Sequence, residues 1–189
     1  MPLILEGLVS TLDAGGWPHL APMGPHVPGP DFDHFALRPF PTSQTYQNLL
    51  VHGEGVLHVT DDVLLLAKAA IGAIEPPPSW EPATHVRGWV LADCCRFFEF
   101  RVVSVDKSEQ RVRIEVAVVH RARRRDFFGF NRARHAVLEA AVLATRTAFL
   151  PYEEIASEYR RLALIVTKTG GPAEHEAMNL LQAHLETAR

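Results

Sequence analysis

Apolar and polar residues alternate with a period of two along two neighbouring segments, residues 95–105 and 111–120. This alternation is typical of strands with one buried face. A short polar stretch, residues 106–110, joins the two segments, so the sequence predicts a β-hairpin here. The alternating apolar positions of the second segment are Val112, Ile114, Val116 and Val118.

Other segments are also extended or rich in β-forming residues, and glycine, proline or aspartate separates several of them. The chain therefore contains six or seven predicted strands, with helices inserted among them. A closed or split antiparallel barrel protects the edges of such a set, so the predicted fold class is α+β, mainly β. The predicted strands are residues 3–12, 19–27, 34–40, 55–60, 86–93, 95–105 and 111–120.

Helical patterns appear in the middle and at the end of the chain. The apolar run at residues 63–74 contains Lys68 as its only charge and predicts a helix after the fourth strand. Residues 75–85 are rich in proline and predict a loop. From Asn131 to Phe149 the chain is rich in alanine, leucine and valine, which predicts a longer helix.

Two further helices complete the predicted C-terminal part. Pro151 suits the first position of one helix, Gly170-Gly171-Pro172 ends it, and the last helix follows. We interpret this part as a three-helix cap or dimerisation unit. The predicted domains are residues 1–122 and residues 126–189.

The stretch from Arg38 to Asp62 predicts the end of a strand, a turn, a short helix and a second strand. Pro39 and Pro41 cannot continue a sheet ladder. Thr42 is then placed as the helix N-cap, and Gly53 as the residue that ends the helix.

Three hydroxyl side chains within four residues lie at the start of this short helix. Together with the free N–H groups and the dipole of a helix N-terminus, they can hold a phosphate. An arginine just before the helix can add charge-assisted hydrogen bonds. A capped helix with solvent-facing polar residues accounts for the same pattern without a ligand. The candidate phosphate residues are Arg38, Thr42, Ser43, Thr45 and Asn48.

The pattern T-S-x-T-Y-x-N-L, followed by G-x-G-V-L-H-V-T-D-D, resembles the FMN-binding split-barrel proteins, in particular the domain-of-unknown-function family 447. The resemblance covers the whole chain, including its helical end. It implies an antiparallel FMN-binding split β-barrel with a small C-terminal helical domain. It also implies that this segment holds the FMN phosphate and that the flavin ring lies against neighbouring strands, often at a homodimer interface.

The same resemblance gives a second group of cofactor candidates, Met23, Gly24 and His26. In a split barrel this stretch forms a wall of the flavin pocket. Gly24 permits close backbone approach and Met23 offers a soft apolar contact. An irregular edge strand explains the stretch equally well.

A third group of polar residues interrupts the apolar helix predicted from Asn131 onwards. Such charges are unusual there because buried charges need partners. The residues match the pattern N-R-A-x-H…E…R of family 447. They form either an ion-pair network between helix and barrel or a substrate or flavin-edge site. The residues are Asn131, Arg132, His135, Glu139 and Arg146.

Composition excludes some classes of function. Hydrophobic residues make up 47% and charged residues 22% of the 189 residues, which is ordinary for a globular protein. The net charge of −3 argues against a general nucleic-acid binder. The basic and aromatic run at residues 121–130 is therefore interpreted as an inter-domain linker, with an anionic pocket as the alternative. No apolar run suits a signal peptide or membrane span, so we expect a cytoplasmic protein without membrane partners.

Cysteines and histidines give no metal signature. Cys94 and Cys95 are adjacent, which suits a reducing compartment and small buried side chains. The ten histidines show no ligand spacing, and His58 in an apolar strand is interpreted as an interior histidine with satisfied hydrogen bonds. The sequence therefore predicts no metal site.

The resemblance implies an FMN-binding flavoprotein, with oxidoreductase activity towards an unknown small molecule as one hypothesis. Flavin carries the hydride in such proteins, so the absence of an identifiable acid–base pair does not exclude catalysis. A non-catalytic flavin-binding or structural module on the same fold is the alternative. A homodimer is the expected assembly.

Overall fold

The computed structural model describes residues 3–29 and 32–187. The outer ends of the two predicted domains, residues 1 and 189, lie outside these residues. The strands of the described part are β1 (Leu3–Ile4), β2 (Gly7–Leu12), β3 (Pro18–Met23), β4 (His26–Val27), β5 (His34–Leu37), β6 (Glu54–Val59), β7 (Trp80–Pro82), β8 (Trp89–Leu91), β9 (Arg96–Asp106) and β10 (Arg113–Arg123). Its helices are α1 (Gln44–His52), α2 (Val63–Ala70), α3 (Arg132–Ala144), α4 (Tyr152–Thr169) and α5 (Pro172–Thr187).

Eight of the described strands form one antiparallel sheet, in the order β1-β4-β5-β10-β9-β6-β2-β3. The predicted hairpin is confirmed as its longest pair, β9 and β10, with eleven residues in each strand. Two register shifts interrupt that pairing, at Glu115/Val116 and at Val118/His120. Irregularities of this kind bend a strand and increase its twist, which curls the sheet into a half-barrel.

Aromatic pairs mark the core of this sheet. The rings of Phe35 and Phe100 meet edge to face with centroids 5.4 Å apart, and those of Phe32 and Phe98 stack at 4.7 Å. Gly55 is required beside Phe100, because a Cβ at this position would lie 2.7 Å from the ring. The inward alternation that the sequence indicated for β10 is confirmed by the burial of Ile114 and Val116.

Two predicted strands and one predicted loop differ from the structure. Residues 3–12 form two strands rather than one, as do residues 19–27, and the short second piece β4 pairs with β1 and β5. The predicted loop at residues 75–85 was wrong in part, because it contains β7, which pairs with β8 as a separate ribbon. Pairing of this kind depends on partners distant in sequence, which local composition does not report.

The helix α1 begins one residue later than predicted. Ser43, not Thr42, is the N-cap, and its Oγ accepts the N–H of Tyr46 at 3.3 Å. The sequence offered two adjacent hydroxyls, and only the extended backbone at Ser43 distinguishes them. The predicted end of the helix is confirmed at Gly53, whose φ of 65° lies in the left-handed region that favours glycine.

The chain divides into two compact units. Residues 1–60 and 78–126 form the unit that contains the sheet, and residues 61–77 and 127–189 form a helical unit. In the second unit α2 packs against α3 and α5, so it belongs with the C-terminal helices although strands flank it in sequence. The sequence-based boundaries at 122 and 126 assigned α2 to the first domain. In the part of the chain that the structure describes, no helix has the length and apolar character to cross a membrane.

Candidate functional site

The turn between β5 and α1 is held by hydrogen bonds of Ser43. Its N–H and its Oγ both donate to the carbonyl of Phe40, at 3.0 and 2.8 Å. Because the same Oγ caps Tyr46, the hydroxyl of Ser43 has a structural role. The N–H groups of Gln44 and Thr45, in the first turn of α1, have no intrahelical acceptor and are available to an anion.

The other polar side chains of this segment differ in their surroundings. Thr42 is exposed, whereas Thr45 is buried. Asn48 is buried and hydrogen-bonded through both ends of its amide, because its Nδ2 donates to Thr11 Oγ1 at 2.9 Å and its Oδ1 accepts from Gln44 at 2.7 Å. Asn48 therefore attaches α1 to β2.

Three cationic side chains surround the same segment. Arg38 pairs with Glu109, yet its Nε is buried and has no hydrogen-bond partner among the described residues. The guanidinium of Arg111 lies 4.3 Å from the ring centre of Phe40, and the Lys107 ammonium 5.9 Å from that of Tyr46. The start of α1 thus lies in a positively charged environment.

His26 lies near this segment as well. In the pairing of β4 with β5, His26 is directly opposite Ala36, and Ala36 is two residues before Arg38. Burial lowers the pKa of the His26 imidazole, and the nearby cations of Arg38 and Arg113 lower it further. The structure therefore brings together one residue from each of the two predicted cofactor groups.

Met23 and Gly24 have packing roles. Met23 is half-buried against the core of the sheet. A Cβ at Gly24 would lie 3.0 Å from Ile4 Cγ2, so the close approach that the glycine permits is to β1 of the same chain. An additional approach by a ligand remains a prediction.

The predicted polar group on α3 is more scattered than the sequence indicated. Asn131 is the N-cap, whose Oδ1 accepts from the N–H groups of Ala133 and Arg134, and it precedes the helix proper. Arg146 follows the helix, which ends at Ala144 and not at the predicted Phe149. The remaining three side chains are exposed on α3: Arg132, His135 and Glu139.

Arg134, which the sequence analysis did not select, forms the ion-pair network of the helical unit. Its Nη1 donates to Asp61 at 3.0 Å and its Nε donates to Glu174 at 3.1 Å. The guanidinium lies 4.6 Å from the ring centre of Phe128, whose N–H also donates to Asp61. No local spacing signals this network, because Asp61 and Glu174 are distant in sequence from Arg134.

Two further polar residues are buried in the sheet unit. The prediction for His58 is confirmed: its Nδ1 donates to the Leu8 carbonyl and its Nε2 accepts the N–H of Leu91. Burial lowers the pKa of His58 to about 4. Glu99 accepts the consecutive N–H groups of residues 84–86, and these bonds outweigh desolvation and hold the pKa of its carboxyl below its ordinary value.

The basic run after residue 120 is not a linker throughout, because β10 continues to Arg123. Its arginines pair with carboxylates within the sheet unit, so their charge is largely compensated locally. The pairs are Arg121 with Asp33, Arg123 with Asp126, Arg124 with Glu81 and Arg125 with Asp93.

Both cysteines are buried, as predicted. Burial raises the pKa of the Cys94 thiol to about 12, so this side chain behaves as a small apolar group.

Solved structures show the same antiparallel split-barrel fold. An FMN-bound DUF447 protein from Methanosarcina mazei has a TM-score of 0.84 and 24% identity, over 97% of this chain and 96% of that one. A 2-nitrobenzoate 2-nitroreductase from Pseudomonas fluorescens has a TM-score of 0.55 and 16% identity, over 66% of each chain. A candidate flavin reductase with a split barrel domain from Shewanella frigidimarina has a TM-score of 0.52 and 12% identity, over 61% of this chain and 65% of that one.

The sequence also matches a family described as proteins of unknown function. Its N-terminal domain matches residues 5–125, and its C-terminal domain matches residues 131–183. Together these matches cover residues 5–183 except for residues 126–130. The chain belongs to the family of proteins of unknown function DUF447.

Proposed function

We propose that this protein binds FMN and holds the cofactor's phosphate at the N-terminus of α1. The observation that carries the proposal is the buried Nε of Arg38, a donor without a partner among the described residues, just before the open first turn of that helix. A buried donor of this kind is costly unless an acceptor reaches it. A phosphate oxygen supplies such an acceptor.

The residues present fit a phosphate. Two first-turn N–H groups, the Thr45 hydroxyl and the helix dipole are suited to an anion, and Arg38, Lys107 and Arg111 supply positive charge. Thr42 is exposed at the same turn and can add a hydroxyl. Ser43 and Asn48 contribute indirectly, because their side chains fix the turn and the helix.

The flavin ring, in this proposal, lies along the stretch from Met23 to His26. Support comes from His26, which shares the electrostatic environment of Arg38. An imidazole whose pKa is lowered is largely neutral at pH 7 and offers a hydrogen bond without competing for the phosphate. The FMN-bound Methanosarcina mazei protein shares the fold, which supports a flavin site in this chain.

The activity that we propose is that of a flavin-dependent oxidoreductase acting on a small molecule. Bound flavin supplies hydride transfer, and the chain's own residues bind, orient and shield it. The similarity to a nitroreductase and to a candidate flavin reductase supports this class. A non-catalytic flavin carrier is the competing function.

A homodimer is part of the proposal. Apolar side chains on the sheet unit are exposed in the single chain, including Trp17 with 73% and Val103 with 64% of their surface accessible. Exposed apolar surface of this kind marks interaction sites. Sedimentation equilibrium at micromolar protein tests this point, and a monomer with or without FMN contradicts it.

FMN titration of the purified protein, followed by quenching of flavin fluorescence, tests the phosphate site. Thr45→Val and Arg38→Met each remove hydrogen bonds to a charged group, so each should weaken binding by about 1–3 kcal/mol, or about 5- to 150-fold. Thr42→Ala should act in the same direction within that range. Thr167→Val is the matched control, because this exposed hydroxyl on α4 bonds only to its own helix.

Equal affinity in all four variants would place the phosphate elsewhere. A protein that binds no FMN contradicts the proposal as a whole. If FMN binds, addition of NADH or NADPH distinguishes the two functions. Bleaching of the bound flavin that recovers in air supports an oxidoreductase, whereas unchanged absorbance with both nucleotides supports a carrier.

A further inference from the structure

We propose that His85, Glu99 and His120 form a binding site for a divalent transition-metal ion of the zinc type. The three side chains each offer a ligand atom, and these atoms all lie within 4.8 Å of one another. All three residues belong to the sheet unit, and none takes part in the proposed phosphate site. Two imidazoles and one carboxylate are a ligand set that zinc and related metals prefer.

The central hairpin places two of the three ligands. Glu99 of β9 and His120 of β10 are direct partners in the antiparallel register, so their side chains emerge on the same face. The register shift between Val118 and His120 makes this pairing possible, because it moves His120 into alignment with Glu99. Bulges are common next to functional sites because they re-aim a side chain.

The loop before β8 places the third ligand. The Glu99 carboxylate accepts the N–H groups of Thr84, His85 and Val86, at 3.0, 2.6 and 3.0 Å. The His85 carbonyl also accepts a hydrogen bond from Arg101, at 2.8 Å. The backbone of His85 is therefore fixed over Glu99 before any ion binds.

The rings of the two histidines stack with centroids 4.4 Å apart and an interplanar angle of 18°. The stack holds the two rings side by side, with their ligand atoms within 4.8 Å of each other. A tetrahedral ion with ligands at about 2.1 Å needs ligand atoms about 3.4 Å apart. Nearly parallel ring planes do not meet at one ion, so the exposed His85 side chain has to rotate out of the stack and bring its nitrogen closer to the other two ligand atoms.

The hydroxyl of Thr84 lies next to the three proposed ligands and can hydrogen-bond to the ring nitrogen of His85 that does not bind the ion. Thr84 Oγ1 lies 2.8 Å from His85 Nδ1 and 3.1 Å from Glu99 Oε1. With Nδ1 donating to this hydroxyl, and the hydroxyl to the carboxylate, Nε2 of His85 is the nitrogen left for the ion. Hydrogen bonds of this type fix the tautomer and raise ligand basicity.

Sequence spacing could not predict this site, because its members come from a loop and two strands and match no metal motif. The structure alone joins them. A cation is a suitable partner for the carboxylate that lies beside the two rings.

The test is titration of the full-length, chelator-treated protein with Zn²⁺ by calorimetry, and with Co²⁺ by visible absorption. We expect one equivalent of ion to bind with micromolar or better affinity, and Co²⁺ to show the intense visible bands of a tetrahedral site. His85→Ala and His120→Ala should each weaken binding at least about 100-fold, and Thr84→Val about 10-fold. His175→Ala, a substitution of an exposed histidine on α5, is the matched control and should leave binding unchanged.

Thermal melts of each variant without metal show whether it is folded. His85 is exposed, so its substitution should leave the melting temperature unchanged and keep the test informative. A useful site should have a dissociation constant below about 100 µM. Absence of stoichiometric binding at that ion concentration overturns the proposal. Equal binding by the His85 and control variants also overturns it, because the ion would then occupy another histidine.

Discussion

His58 is a buried histidine whose two ring nitrogens have opposite roles. Leu91 donates its N–H to Nε2 at 3.1 Å, so Nε2 carries no proton, and Nδ1 donates to the Leu8 carbonyl at 3.2 Å. The neutral ring therefore satisfies both partners. A protonated ring would face the Leu91 N–H with a second N–H, which together with burial explains why the pKa falls from 6.5 to about 4.

This shift predicts how the free energy of unfolding depends on pH. Below pH 6.5 the unfolded chain takes up a proton at His58 that the folded chain does not accept until about pH 4. Stability should therefore fall as the pH decreases from 6.5 to 4, by about 3 kcal/mol from this residue alone, and His58 should contribute no further loss below that. Urea unfolding monitored by circular dichroism across this range measures the effect.

His58→Gln removes the titrating group and keeps one amide for hydrogen bonding. This variant should be less stable than the wild type at pH 7, because a buried hydrogen bond is lost, but its stability should change less between pH 6.5 and 4. The substitution of an exposed histidine, His34→Gln, is the control and should keep the slope of the wild type. Equal slopes in the wild type and His58→Gln would show that His58 does not drive the pH dependence.

Single residues also show what sequence alone can and cannot reveal. The interior role of His58 was predictable, because an apolar strand on both sides implies burial. The choice of Ser43 and not Thr42 as the N-cap of α1 was not predictable, because it depends on the backbone conformation at Ser43. The cluster of His85, Glu99 and His120 was invisible, since strand register and a bulge create it.

At the scale of elements, the strength of the local pattern decided what could be predicted. The hairpin of β9 and β10 alternates over a long stretch, and its location follows from the sequence. The short strands β1, β4 and β7 have two or three residues each and exist only through their partners. The helices α4 and α5 follow from proline and glycine punctuation, whereas the end of α3 at Ala144 does not.

At this scale the sequence analysis missed one residue of α3, Arg134. The sequence analysis selected a group of polar residues that includes the exposed Arg132, whereas the arginine that forms ion pairs is Arg134. Both are arginines within an apolar helix, and local sequence gives no reason to prefer one. The difference lies in the buried carboxylates of Asp61, just before α2, and Glu174, on α5.

Arg134 joins α3 to the start of α2 and to α5, so its removal should destabilise the helical unit. Arg134→Met leaves two buried carboxylates without their cation. Each keeps one backbone N–H donor, from Phe128 or Gly171, which limits the cost to about 2–3 kcal/mol of unfolding free energy. Chemical denaturation followed by the far-ultraviolet helix signal measures the loss.

Arg132→Met is the matched control for this prediction, because it makes the same chemical change two residues away on an exposed side chain. Its effect should stay within about 0.5 kcal/mol. Equal losses in the two variants would contradict the structural role of the Arg134 network. A large loss of unfolding free energy in Arg132→Met alone would instead favour a structural role for the polar group that the sequence analysis selected.

At the scale of the whole molecule, the fold class was predictable and the grouping of its parts was not. The resemblance at residues 42–62 led to the split barrel, which the solved structures confirm. The position of α2 in the helical unit was missed, because chain order suggested a helix inserted in the barrel domain. Its apolar sequence was the available signal, since a helix with one charge between Val63 and Ile74 requires neighbours on several sides.

The distribution of tryptophan provides a separate reporter for the sheet unit. All three tryptophans, Trp17, Trp80 and Trp89, belong to that unit, which also contains the proposed phosphate site. Tryptophan fluorescence therefore follows the unfolding of the part that would bind FMN. A ligand that binds only the folded state should raise the stability measured by this signal.

FMN and riboflavin differ only in the phosphate, so their comparison isolates its contribution. Free FMN at 100 times its dissociation constant should raise the unfolding free energy of the sheet unit by about 2.7 kcal/mol. If the phosphate accounts for a hundredfold in affinity, riboflavin at the same concentration should add only about 0.4 kcal/mol. Urea titrations monitored by tryptophan fluorescence supply both values. The variant Arg38→Met tests whether the phosphate contribution comes from the start of α1, because it should reduce the extra stabilisation by FMN relative to riboflavin. Equal stabilisation by the two ligands in the wild type would mean that the start of α1 holds no phosphate, even if the flavin ring binds elsewhere in the sheet unit.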